Sequence, residues 1–193
     1  MFIDYITLLL INMTAGLVLL AAYLLAGLGR NRPGRWAAGF AAVGLVAFLA
    51  GLHMTLTWPV PGPFNMAFGE MSVLFGALYL AAAMALLTRS DLIGVGVCAA
   101  VAGAAAVALG VRMIDLGLTR RPVMSGVGFI LSGAGGALTF VAVALRRVRS
   151  LRWLAAAVLV AAAAIWAATG YPAYWGHMES FKAYTPPAAQ SGP

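Results

Sequence analysis

The stretch ITLLLINMTAGLVLLAAYLLAGL, Ile6 to Leu28, runs for 23 residues without a charged side chain. At about 1.5 Å of rise per residue a helix of this length reaches about 35 Å, enough to cross a hydrocarbon layer about 30 Å thick. In hydrocarbon each backbone group must be paired inside the segment, so the run is read as an α-helix. Five further runs of this kind follow: Trp36 to Thr57, Met66 to Leu87, Leu92 to Ile114, Val123 to Leu145 and Leu151 to Thr169. The sequence therefore predicts an all-α fold, a polytopic bundle of six transmembrane helices. Residues 1–193 form one integral membrane domain with an outward-facing C-terminal tail at 170–193.

Composition agrees. The chain is 63% hydrophobic and 9% charged, with a mean hydropathy of +0.97, far from the balance of a water-soluble domain. A formal charge of +7 invites a nucleic-acid partner, but no solvated face is left to carry one, and nucleic acid is excluded as a partner. The single cysteine, Cys98, excludes a disulfide framework, a CxxC pair and any Cys-rich zinc or iron-sulfur site. Turn residues fill the breaks, as in Gly29-Arg30-Asn31-Arg32-Pro33-Gly34, Pro59-Val60-Pro61-Gly62-Pro63 and Thr119-Arg120-Arg121-Pro122. The first run is expected to be retained as a span rather than cleaved as a secretory signal. Asp4 precedes it, no basic residue does, and it is longer than a signal core.

Charge then orients the spans. The connections one-two, three-four and five-six hold Arg30, Arg32, Arg35, Arg89, Arg146, Arg147, Arg149 and Arg152 against Asp91 alone. On the other side Arg112, Arg120, Arg121 and Lys182 balance Asp4, Glu70, Asp115 and Glu179. The positive-inside rule makes the arginine-rich loops cytoplasmic and predicts a multi-pass protein of the plasma (inner) membrane with both termini outside.

Nearly every side chain capable of chemistry falls at the outer ends. His53 lies about one turn inside the end of the second run and Glu70 about one turn inside the start of the third, so they share a depth. Arg112 and Asp115 are three apart and can pair. His177 and Glu179 follow the sixth run in an aromatic tail that can fold back over the bundle. Methionines share the bias, from Met1 and Met54 to Met113 and Met178, and His-Met dipeptides occur at His53-Met54 and His177-Met178. Imidazole with thioether suits Cu(I), whereas imidazole with carboxylate suits zinc or another divalent ion. A metal site of His53, His177, Glu70 and Met54 is chemically sound, although no spacing puts two of these ligands on one helix face. The competing readings are interfacial histidines, a structural ion pair of Glu70 with an arginine, methionine as packing filler and an aromatic belt of Trp58, Tyr171, Tyr174 and Trp175.

Two polar stripes run inside the apolar segments. Tyr5, Asn12, Gly16 and Tyr23 lie within about 20° of one line on the first helix, and Ser125, Ser132, Gly136 and Thr139 form a similar line on the fifth. They suit either a solute path or interhelical hydrogen bonds between closely packed helices. No ionisable residue lies near the centre of any span, which disfavours ion-coupled pumping. Two histidines allow one bis-His haem at most.

The segment Thr57-Trp58-Pro59-Val60-Pro61-Gly62-Pro63-Phe64-Asn65-Met66-Ala67-Phe68-Gly69-Glu70, followed by Leu74-Phe75-Gly76, resembles the signature of a family of small prokaryotic integral membrane proteins known only as a domain of unknown function. The resemblance covers the second and third helices with their loop and implies an uncharacterised membrane protein with no carried-over activity. Read physically, the prolines stiffen an outward loop and Asn65 can cap the third helix.

The leading expectation is an accessory or binding protein whose outer pocket, built from Glu70, His53, Asn65, Asp115, Arg112 and Asn12, takes a metal ion, with copper the specific candidate, or a small polar ligand. The expected partners are the lipid bilayer and a membrane protein or a second copy of the chain. The alternative is a redox subunit holding a single haem or a quinone, and the third reading is a permease for a small neutral solute. No complete catalytic motif is present, so an enzyme is the less favoured class.

Overall fold

The computed structural model describes residues 4–184, so Met1 and the end of the tail, 185–193, lie outside the described residues. Within them are six helices long and apolar enough to cross a membrane, and no strand. Helix α1 (Tyr5–Ala26) is followed by a 3-10 turn (Pro33–Trp36) leading into α2 (Ala37–Thr57). A π-helical turn (Asn65–Glu70) opens α3 (Met71–Thr88), and α4 (Ile93–Asp115), α5 (Pro122–Ala144) and α6 (Arg149–Ser180) complete the bundle.

The five earlier spans match the apolar runs to within a few residues, but α6 does not stop at Thr169. It continues to Ser180 through Pro172, so residues 170–180 of the expected folded-back tail extend the last helix instead. Proline removes one helical bond, that of the Ala168 carbonyl, near the end of the span where water can replace it. The extension is held laterally: Gly170 lies against Leu10 and Ile11 of α1, and His177 reaches the start of that helix.

Small residues decide which helices touch. The tightest seam joins α4 to α5, where a Cβ on Gly103 would lie 2.4 Å from the Gly133 carbonyl oxygen and one on Gly110 would lie 2.5 Å from that of Gly126. A second close seam joins α2 to α3, with Gly44 and Gly76 backbone to backbone. In lipid no water is released when helices meet, so association rests on this close packing. Helix α1 packs between α2 and α6, and α5 against α6, whereas α3 and α4 touch lightly.

The polar stripes are spent on such contacts. Asn12 Nδ2 donates to the Val43 carbonyl at 3.0 Å, Tyr79 Oη donates to that of Gly16 at 2.6 Å, and Trp166 Nε1 donates to Ser132 Oγ at 2.9 Å. Ser132 and Thr139 donate in turn to carbonyls one turn back. A cavity of about 140 Å³ remains at the centre, walled by apolar side chains such as Phe75, Phe129 and Trp166.

Candidate functional site

The first turn of α1 organises the end of the bundle that carries both histidines. Asp4 is its N-cap: Oδ1 accepts from the Thr7 backbone N–H at 3.3 Å, and the positive end of the helix dipole favours the carboxylate. The other carboxylate oxygen, Oδ2, lies 2.5 Å from Nδ1 of His177 on α6, with Thr7 Oγ1 3.3 Å from the same nitrogen. The next residue, Tyr5, is buried and places its hydroxyl 2.6 Å from Nδ1 of His53 on α2, the two rings stacked at 5.5 Å and 20°. Thr57, one turn on, donates to the His53 carbonyl at 2.7 Å.

These partners set the ring hydrogens. A carboxylate only accepts, so His177 carries hydrogen on Nδ1 and, when neutral, a lone pair on Nε2. Nδ1 of His53 is approached by the Tyr5 hydroxyl and, at 3.3 Å, by Thr57 Oγ1; with Tyr5 as the donor that ring's hydrogen sits on Nε2. Neither Nε2 has a hydrogen-bond partner among the described residues. In that arrangement one imidazole offers a donor and the other, when neutral, an acceptor, and both line one cavity of about 690 Å³. Leu10 and Ala173 give it apolar walls, and Pro59 to Pro61 close one side.

That proline wall is anchored from beneath. Asn65 is fully buried; its Oδ1 accepts from the Val60 N–H at 3.2 Å, and its Nδ2 donates to the carbonyls of Val60 and, at 3.4 Å, Gly62. Asn65 therefore staples the loop instead of capping α3, because the π-helical turn places its side chain under the loop.

The other expected residues lie elsewhere. Glu70 is exposed, outside the cavity, with no hydrogen bond or ion pair among the described residues. Arg112 and Asp115 pair with each other on an exposed face of α4, their side chains 63% and 59% accessible. Asn12 is committed to α2, and Met54 is fully buried against Gly69. Among the described residues no three His, Cys, Asp or Glu side chains are grouped to hold a metal ion. The structure thus unites His53 with His177 but surrounds them with Asp4, Tyr5, Thr7 and Thr57, which sequence reasoning did not select. One signal for the first of these was present, an Asp three residues before Thr7 at the head of an apolar run.

A family model described as "Protein of unknown function (DUF981)" matches residues 1–180. No curated protein and no solved structure matches the chain.

Proposed function

The chain belongs to this family of unknown function, and from its own residues we propose that it is a membrane binding or accessory protein whose α1–α2–α6 cavity takes one small polar ligand. The ligand class follows from the two rings: an acceptor for the His53 Nε2–H beside a donor for the His177 Nε2 lone pair, as a neutral carboxylic acid or a primary amide provides. The observation that carries this reading is the placing of both imidazoles, held at Nδ1 by Tyr5 and Asp4, on one cavity. A carboxylate holding the far nitrogen of an imidazole also suits metal or haem ligation. That second reading is weaker, because neither Glu70 nor Met54 lines the cavity. The permease reading has less support still, since Asn12, Ser132 and Thr139 of the stripes are bonded within the bundle. The arginine-rich end is assigned to the cytoplasm of a plasma (inner) membrane protein, which puts this cavity and both termini outside.

The test is a thermal-shift screen of detergent-purified protein against short carboxylic acids and amides, beside a His53→Ala, His177→Ala double variant. Expected is stabilisation of the wild type alone, growing with ligand concentration. A screen in which both proteins respond alike overturns the proposal. So does stoichiometric copper, zinc or haem in an elemental analysis and absorption spectrum of the wild type.

A further inference from the structure

At the opposite end of the bundle, α1 finishes beside the start of α6. Arg30, Arg146, Arg147, Arg149 and Arg152 line one concavity there of about 540 Å³, and Leu25 and Trp153 complete its wall. No acidic residue lines it, and the two ion pairs among the described residues both lie at the other end. Five guanidinium groups around one hollow repel each other, and the arrangement calls for an anion.

The hollow is also built. Arg152 donates to the carbonyl of Leu28, just past α1, at 3.1 Å, and to that of Arg146, just past α5. It thereby satisfies carbonyls that two helix ends leave free and is held in place by them. Its Nε is buried without a partner, while the other four arginines are exposed.

The wall identifies the source of the anion. Trp153 is 63% exposed, and Leu154 beside it is half exposed. An open tryptophan and leucine beside arginines at the ends of spanning helices mark the level where hydrocarbon gives way to headgroups. A soluble anion would use the arginines alone, whereas a lipid uses the arginines for its phosphodiester and Leu25 and Trp153 for its glycerol and upper acyl chain. We propose that this concavity is a headgroup site for an acidic phospholipid of the arginine-side leaflet, with guanidinium groups holding the phosphate.

Native mass spectrometry of the full chain in detergent tests this, with phosphatidylglycerol and phosphatidylcholine of identical acyl chains. The wild type is expected to retain one phosphatidylglycerol molecule about tenfold more tightly than phosphatidylcholine. An Arg30→Gln, Arg147→Gln, Arg149→Gln variant should bind the two lipids alike. An Arg120→Gln, Arg121→Gln variant at the other end should keep it. Equal binding of the two lipids by the wild type overturns the proposal without recourse to any variant. So does an unchanged preference in the triple variant, or displacement of phosphatidylglycerol by millimolar inorganic phosphate.

Discussion

Replacing Gly103 by alanine puts a methyl carbon 2.4 Å from the carbonyl oxygen of Gly133, a backbone atom that cannot rotate away. Carbon and carbonyl oxygen ordinarily meet at about 3.4 Å, so α4 and α5 must part by about 1 Å at this point. The strain is not local, because the same two backbones meet again at Gly110 with Gly126 and at Gly136 with Ala99. A gap of 0.5–1 Å forfeits about a quarter to a half of each dispersion contact it opens, and overpacking of this kind costs about 1–3 kcal/mol. Alanine is also the better helix former by up to about 1 kcal/mol, which offsets part of that cost. Gly94 of the same helix separates the two effects, since a Cβ there meets nothing within 4 Å. Gly94→Ala should match or exceed the wild type in stability, and Gly103→Ala should fall below Gly94→Ala by the steric cost alone, about 1–3 kcal/mol. The assay is reversible unfolding of detergent-solubilised protein by added dodecyl sulfate, followed by circular dichroism. Equal midpoints for the two variants would refute the claim that backbone contact at glycine holds this seam together.

Three further outcomes are expected. Asn65→Ala strips Val60 of its partners under the proline loop, so it should cost about 1–3 kcal/mol and raise hydrogen exchange at the Val60 amide; unchanged exchange would show the loop to be held otherwise. Trp166→Phe keeps the edge-on contact with Phe129 but loses the bond to Ser132, for a loss of about 0.6–1.7 kcal/mol in the same unfolding assay. A larger fall would mean that the ring packing had changed too. Asp4→Asn leaves α1 capped, since asparagine caps about as well as aspartate, but replaces the charge-assisted partner of His177 with a neutral amide, roughly halving that bond. Ligand affinity in the thermal-shift screen should drop about tenfold, near 1.4 kcal/mol, alongside a lower ligand-free midpoint from the weakened α1–α6 bond, and undiminished affinity would remove Asp4 from the site.

The two ends of the molecule divide the chemistry between them. One gathers both histidines around the first turn of α1, their Nδ1 atoms held by a carboxylate and a phenol. The other gathers arginines around two helix ends with no acid among them. Between them lie helices whose polar groups, such as Asn12, Tyr79 and Trp166, are bonded to their neighbours.

What the amino-acid sequence determined by itself is what local physics can decide. An apolar run in hydrocarbon has the helix as its one way to pair its backbone, so the six spans and most of their limits were legible from residue types. Antiparallel succession then set which residues share an end, and His53 and His177 line one cavity there. The length of α6 was not legible, because Pro172 ordinarily stops a helix and only its packing against α1 shows why this one continues. Lateral order was equally hidden. Glu70 and His53 share a depth, yet the carboxylate that reaches a histidine belongs to Asp4, which is 173 residues from His177. Depth along a helix follows from counting residues, whereas the direction a side chain faces around the axis depends on which neighbour supplies a glycine for close approach. That choice is made by the packed bundle, and it turned Asn12, Met54 and Asn65 inward to hold the fold while leaving the two imidazoles on the cavity.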